Sequence, residues 1–250
     1  MGRRLGPRPL VACWRMRAVI LAGGLGTRLR PYTTILPKPL VPVGDRPILE
    51  HILRRLRTCG IGQVDLCVSH LGELIQVYFS QDGTLPEGLD LRWHWEEEPL
   101  GTAGALRLVP DLPGTFIAMN GDILTTLDYG ELVAFHERSG AALTVAMHSK
   151  QVNIDLGVIE ADGDRITGWR EKPQIDYEVS MGIYVYDSRA LAHLPSAGPF
   201  QFPELVDRLL EVGESVAAFR SDAEWFDIGT VGEHQKAVEA FELAPEVFAS

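Results

Sequence analysis

The first half of the chain alternates strand-like and helix-like segments, and this limits its fold more than any other feature. Strand-like runs lie at 17–21, 63–68, 89–95 and 115–119, and helix-like runs at 47–58, 71–79 and 101–108. Pro47 after Asp45 suits a helix N-terminus, and Gly60 suits its end. Strands joined by helices must run parallel, and the crossovers then lay the helices on the sheet. The expectation is an α/β fold, a doubly wound, mostly parallel sheet covered on both faces.

The second half changes character. After a helix at 127–138, strands are expected at 142–147, 156–160, 165–170 and 179–186, with Asp162-Gly163-Asp164 as a hairpin turn. Helices are expected at 188–194, 201–211 and 230–242. This strand-rich portion follows the α/β core without a Pro/Gly/Ser linker, so 16–250 is read as one domain. Residues 1–15 hold two prolines, no periodicity and no apolar run of signal-peptide length. They are expected to form a flexible extension without function.

Composition excludes several classes. No run of about 18 apolar residues is present, so no membrane span is expected. Cys13, Cys59 and Cys67 are odd in number and lack C-x-x-C spacing, which fits a reducing cytoplasm better than a disulfide framework or a zinc site. The seven histidines lack metal-ligand spacing, and His70 and His94 are read as structural. Net charge is −11, unevenly distributed: residues 1–60 carry +10 and the remainder −21. A nucleic-acid binder would show a basic excess over a whole domain. Here the excess overlaps a glycine-rich loop, which suits a small polyanion.

That loop is Leu21-Ala22-Gly23-Gly24-Leu25-Gly26-Thr27-Arg28-Leu29. Three glycines after a strand let the backbone approach a ligand closely and offer N–H groups to phosphate oxygens. The G-x-G-x-x-G pattern fails at Leu29, and there is no Gly-Lys-Ser/Thr after it for a P-loop. Pro37-Lys38-Pro39-Leu40 stands a few residues downstream instead. A lysine between two prolines sits on a stiff, extended segment, useful where negative charge shifts between phosphate oxygens.

With G-G-x-G-T-R-L at 23–29, P-K-P-L at 37–40 and Pro47-Ile48-Leu49-Glu50 beyond, the chain resembles the sugar-phosphate nucleotidyltransferases from Met16 to about Phe241. The resemblance implies a Rossmann-like fold, with a nucleotide-binding half at about 16–126 and a sugar-binding half at about 127–250. It implies that Leu21, Gly23, Gly24, Gly26 and Thr27 contact the nucleotide. Arg28 would face the departing pyrophosphate, and Lys38 the α-phosphate. Asp122, after Asn120-Gly121, and Asp227, in Trp225-Phe226-Asp227-Ile228-Gly229-Thr230, would jointly hold Mg²⁺.

Glu96-Glu97-Glu98-Pro99-Leu100-Gly101-Thr102 matches the family's base-reading segment, with Glu98, or else Glu97, at the base edge beside Gly101 and Thr102. A carboxylate only accepts hydrogen bonds, and guanine offers two adjacent donors, so GTP is favoured. Glu171-Lys172-Pro173 matches the family's sugar-phosphate segment, and Gly157 a glycine that admits the sugar; Asn120 and Ser180 complete that group. Ser180-Met181-Gly182 replaces the common N-A-G, and Leu156 stands where an aromatic is usual.

The expected reaction is transfer of a nucleoside monophosphate from an NTP to a sugar 1-phosphate. GTP with mannose 1-phosphate comes first. Heptose 1-phosphate with GTP is next, then glucose or N-acetylmuramate 1-phosphate with dTTP or UTP. A non-catalytic, nucleotide-sugar-sensing subunit on the same fold is the rival from another class. No nucleic acid or membrane partner is expected, and whether copies of the chain associate is left open.

Overall fold

The computed structural model describes residues 16–249, so the expectations for residues 1–15 and for Cys13 lie outside the described residues. In chain order the elements begin with β1 (Arg17–Ala22), β2 (Pro42–Val43), β3 (Arg46–Pro47) and α1 (Ile48–Thr58). They continue with β4 (Gln63–Val68), α2 (Gly72–Phe79), β5 (Asp90–Trp95), β6 (Thr115–Asn120), β7 (Ile123–Thr125) and α3 (Tyr129–Ser139). Then come β8 (Leu143–Asn153), β9 (Val158–Asp162), β10 (Arg165–Arg170) and β11 (Gln174–Asp187). The last are α4 (Phe202–Glu211), β12 (Val216–Arg220), β13 (Trp225–Asp227), α5 (Val231–Leu243) and α6 (Pro245–Ala249).

Seven strands form one sheet in the order β12-β8-β11-β6-β1-β4-β5. β1 pairs in parallel with β4 and β6, and β4 with β5. β11 runs antiparallel to both its neighbours, and β12 lies parallel to β8. The expected α/β fold with a mostly parallel sheet is thus present, and the strand-rich second half extends the same sheet. Successive side chains of β1 divide between two cores. Ala18, Ile20 and Ala22 join α1, α2, α3 and α5 on one face, while Val19 joins α4 and the segment around Ala105 on the other.

α1 shows how the pattern produces the packing. Ile48, Leu49, Ile52, Leu53 and Leu56 recur at helical spacing and are buried. Burying each contributes about 1.5–3 kcal/mol at most. Gly60 (φ +86°) ends the turn beyond α1 in a conformation that suits glycine.

Several boundaries differ from the sequence reading. The helix expected at 101–108 is only a short 3-10 turn at Gly104–Leu108. Gly101 adopts φ +79°, and the N–H groups of Ala103 and Gly104 donate to Phe200 O, which ties this stretch to the chain before α4. The helix expected at 188–194 is likewise a 3-10 turn, Ser188–His193. β12 is absent from the sequence expectations; it completes the sheet beside β8. β8 and β11 also run past their expected ends as a long antiparallel ribbon, with the β9–β10 hairpin between them in sequence. His94 donates from Nε2 to the buried Asp65 carboxylate at 2.8 Å, as a structural histidine does. Among the described residues, no helix is long and apolar enough to cross a membrane.

Candidate functional site

From β1 the chain steps outward to β4 and β5, then returns to β6 on the other side of β1. In open α/β sheets, the crevice beyond the carboxyl ends of the strands at such a reversal is where ligands bind. Here the two strand ends are tied together: Gly121 N–H donates to Leu21 O at 2.9 Å. A Cβ at Gly121 would come within 3.1 Å of that oxygen, so glycine permits the approach. The β6 end therefore places Asn120 and Asp122 directly against the glycine loop.

A cavity of about 290 Å³ opens at this point. It is lined by Leu21, Gly23, Gly24, Lys38, Asn120, Asp122, Gly101 and Thr102, eight of the residues singled out from sequence. Glu96 and Gln201 complete the polar part of the wall. The loop itself is pinned from both sides. Ser69 Oγ–H donates to Gly23 O at 2.6 Å, and Thr33 Oγ1–H to Gly26 O at 2.7 Å. Gly26 adopts φ +60°, and a Cβ there would crowd Thr33 and Lys38 at 3.0–3.3 Å.

Lys38 begins a tight turn, with Leu40 N–H on Pro37 O and Val41 N–H on Lys38 O. Pro39 is buried, so the backbone under the lysine is fixed without help from its side chain. Lys38 Nζ donates to Asp122 Oδ2, in a pair whose side chains are 11% and 20% exposed. The other oxygen, Asp122 Oδ1, is buried and has no hydrogen-bond partner.

β13 pairs antiparallel with β7, setting Asp227 opposite Ile123, and Ile228 N–H donates to Asp122 O at 3.0 Å. This ladder brings together two aspartates that lie far apart in sequence. Burial raises the Asp227 pKa, and the neighbouring Asp122 carboxylate raises it further; Lys38 and Arg28 oppose both. Two neighbouring carboxylates, one with an orphaned buried oxygen, fit a hard divalent cation that takes one or two carboxylates plus phosphate oxygens. Mg²⁺ is such a cation. Arg28 and Asp227 border a second cavity of about 420 Å³. A Cβ at Gly229 would lie 3.4 Å from Asp227 Oδ1 and 3.6 Å from an Arg28 guanidinium nitrogen, so both groups flank this glycine.

Of the three glutamates, the one expected at the base edge is not the one that lines the first cavity. Glu98 is exposed and lines neither cavity; the carboxylate that faces the first one is Glu96. It lies so close to Gly23 that a Cβ there would meet Glu96 Oε1 at 2.4 Å, and its Oε2 accepts from Leu100 N–H at 3.1 Å. Burial raises the Glu96 pKa, with the Leu100 N–H acting against it. Glu96 N–H donates to Val68 O, extending the β5 ladder by one residue, so Glu96 keeps the face of His94 and Cys67 while Glu97 and Glu98 follow in a bend beyond the strand. Gln201 has no sequence signal because it arrives from the distant α4 N-terminus, where its Oε1 accepts from Thr102 N–H at 3.3 Å.

The remaining predicted residues stand apart. Thr27 lines neither cavity, nor do Gly157, Glu171 and Lys172, which belong to the β9–β10 hairpin and its flanks. There Trp169 Nε1–H donates to Glu171 Oε2 at 3.1 Å across Gly157, and Leu156 is exposed. Ser180 Oγ accepts from Gly182 N–H at 3.2 Å where β11 shifts register.

The family model for nucleotidyl transferase matches residues 17–242. UTP–glucose-1-phosphate uridylyltransferase of Synechocystis sp. is 32% identical over 244 residues, covering 89% of this chain and 62% of that protein. The mannose-1-phosphate guanylyltransferase catalytic subunit beta of Danio rerio is 32% identical over 223 residues, covering 86% and 61%. Among solved structures, HddC from Yersinia pseudotuberculosis has a TM-score of 0.71 at 27% identity, covering 90% of this chain and 99% of that one. The chain spans about three fifths of the length of the curated relatives it matches. Since the family match runs from the first strand of the central sheet almost to the end of α5, it takes in the entire strand reversal and both aspartates, and the chain belongs to the nucleotidyl transferase family.

Proposed function

We propose that this chain transfers a nucleoside monophosphate from an NTP to a sugar 1-phosphate and releases pyrophosphate. The observation that carries the reading is the Lys38–Asp122 pair beside Asp227, opening onto a pinned glycine loop at the strand reversal. The nucleoside occupies the first cavity, with its phosphates along residues 23–28. A sugar 1-phosphate oxygen attacks the α-phosphorus. As that P–O bond forms, the bond from the α-phosphorus to the α,β-bridging oxygen breaks, and pyrophosphate leaves with the electron pair. A phosphate monoester is already dianionic near neutral pH, so no protein base need take a proton.

The chain's own groups then act by position and charge. Lys38, held on its proline-flanked turn, meets the negative charge that develops on the α-phosphate oxygens. Arg28 meets the charge that moves onto the leaving group. Asp122 and Asp227 would hold Mg²⁺, which when bound supplies Lewis-acid polarisation of phosphoryl oxygens.

Glu96 favours GTP, because an acceptor-only carboxylate suits guanine's adjacent N1–H and N2–H donors. The mannose-1-phosphate guanylyltransferase relatives support the same choice, with mannose 1-phosphate as sugar. The uridylyltransferase relative supports UTP with glucose 1-phosphate as second reading. Pyrophosphate release with Mg²⁺, crossing four NTPs with a panel of sugar 1-phosphates, tests the proposal. Release that requires one matched pair names both substrates; folded protein that binds nucleotide but stays silent across the panel counts against transfer.

A further inference from the structure

Glu96 stands on a wall of the first cavity that its own segment does not hold alone. Leu100 N–H orients the Glu96 carboxylate, and Leu100 O accepts from Phe200 N–H at 2.8 Å. Phe200 O in turn accepts from the N–H groups of Ala103 and Gly104, at 3.0 and 2.9 Å. Gln201 Oε1 accepts from Thr102 N–H and Thr102 Oγ1–H, and Thr102 Oγ1 accepts from Phe202 N–H at 2.8 Å. Residues 100–104 and 200–202 therefore form one clasp, whose arms lie 100 residues apart in sequence at Thr102 and Phe202. The second arm depends on residues 194–200, which have no regular structure. Residues 196–199 are exposed, and Gly198 adopts φ +80°. Two arginines hold this segment. Arg208, on α4 and so on the same arm, donates to His193 O at 2.9 Å and lies over the Phe200 ring. Arg107 reaches it from the other arm, in the turn at Gly104–Leu108, donating from Nη1 to Pro195 O at 3.0 Å and from Nη2 to Gly198 O. Arg107 itself lines neither cavity.

A guanidinium fork that spends its donors on two backbone carbonyls fixes a segment in place, and hydrogen bonds from a charged group are the stronger ones. We infer that Arg107 is a positioning residue for nucleobase recognition. By holding residues 195–198 it sets Phe200, and through Phe200 and Leu100 it sets the carboxylate of Glu96. The inference rests on the proposal that the first cavity takes the nucleoside, with Glu96 at its base. Without the fork, the segment before Phe200 exchanges among conformations, and a nucleotide binds only the fraction of chains whose clasp is closed. Apparent affinity falls by that fraction, so a clasp closed about one tenth of the time weakens binding about tenfold. Lys38, Asp122 and Asp227 reach the site on other segments, so the step at saturation keeps its machinery.

Calorimetry of Mg·GTP and Mg·UTP binding tests this without turnover, on the wild-type chain and on R107Q, R107K, E96Q and E96Q/R107Q. Circular dichroism and melting temperature confirm that each variant folds. R107K, which keeps the charge and serves one carbonyl, carries the test if R107Q does not fold. The expected result is a loss of about tenfold in GTP affinity for R107Q, with a smaller loss for UTP and an intermediate one for R107K. E96Q/R107Q should bind GTP no more weakly than E96Q alone, because the arginine acts through the glutamate. Amide exchange at Phe200, Ala103 and Gly104 should quicken in R107Q as the clasp opens. Unchanged GTP affinity in R107Q, or losses from the two single variants that add in the double one, overturns the inference. Pyrophosphate release is assayed in parallel, where R107Q should raise KM for GTP and leave kcat within about threefold of wild type. Non-additive loss of GTP binding in a chain that releases no pyrophosphate with any sugar 1-phosphate keeps the positioning role and sinks the transfer reaction. Transfer with additive losses does the reverse.

Discussion

Replacing Lys38 with alanine removes a charge from the first cavity while leaving the chain around it in place. Pro37, buried Pro39 and the two turn hydrogen bonds hold the backbone at position 38 whatever the side chain. The structural cost is confined to Asp122, whose Oδ2 loses its partner while Oδ1 already lacks one. Breaking a fully buried pair costs about 3–5 kcal/mol, and an exposed one about 0–1. With side chains 11% and 20% exposed, this pair falls between, at about 1–3 kcal/mol. For a chain of this size that is a drop in melting temperature of about 3–10 °C, short of unfolding at assay temperature. The catalytic cost is larger. Losing one preorganised group that meets transition-state charge lowers kcat by about 10²–10³, or about 2.7–4 kcal/mol. Steady-state pyrophosphate release at saturating NTP and sugar 1-phosphate reads kcat, and differential scanning fluorimetry reads stability. A Lys38→Ala chain that keeps its fold and its kcat within about threefold of wild type would refute the role assigned to this lysine.

Asp227→Asn tests the carboxylate pair through pH. Its folded pKa lies above the ordinary value near 3.8, so ionising it costs stability, a cost absent below that value and full once pH exceeds the folded pKa. Without metal the Asn variant should therefore melt higher than wild type at pH 7 and equal to it below pH 3.8, while losing any Mg²⁺-dependent stabilisation; a lower melting temperature at pH 7 contradicts this. Glu96→Gln makes one acceptor oxygen a donor group, so the ratio of kcat/KM for GTP over UTP should fall by about tenfold, within the usual worth of a hydrogen bond to a charged group. An unchanged ratio would remove Glu96 from base recognition. Gly101→Ala sets a Cβ 2.6 Å from Phe200 O at φ +79°, so thermal denaturation should show a loss of at least about 1–2 kcal/mol. Wild-type melting behaviour would mean that the contact with Phe200 relaxes freely.

How much of the fold is legible in the sequence depends on the range over which each signal acts. Period-two and period-3.6 patterns are local, and the strands and helices they mark lie within a few residues of their observed bounds. β12 escapes because five residues, Val216–Arg220, read weakly when isolated and become a strand only by lying beside β8. The stretch 101–108 carries helical spacing but is held as a loop and short turn by its bonds to Phe200 O, a tertiary contact that overrides propensity. At the site, Lys38, Asp122 and Asp227 are all legible as motif residues, and the nearness of the two aspartates, which the resemblance implies, is produced by the β7–β13 register, which no local pattern carries. Three consecutive glutamates look alike in sequence, and strand alternation does not separate Glu96 from Glu98; the end of β5 at Trp95 does, since Glu96 is still tied to Val68 O while Glu98 lies exposed in the bend that follows.

The charge asymmetry of the chain acquires a structural sense once the sheet is assembled. The excess of cations before residue 60 reaches the site through Arg28 and Lys38, both on segments between β1 and β2. The carboxylates come from the acidic remainder, at the ends of β6 and β13. The strand reversal sets these segments edge to edge, so that Lys38 neutralises Asp122 while Arg28 lies near Asp227 without pairing to it. The first cavity thus holds a cation already engaged, Lys38, and the second one that has no paired carboxylate among the described residues, Arg28. In the transfer reaction proposed above, Lys38 would turn part of its charge from Asp122 to the α-phosphate, an exchange that is favourable only if something else compensates the aspartate. The orphaned Asp122 Oδ1 is where a divalent cation would do so, with Asp227 as the neighbouring carboxylate. On the proposed reaction the lysine and the two aspartates act as one unit, and substitutions at Lys38 and Asp122 should be strongly non-additive in kcat.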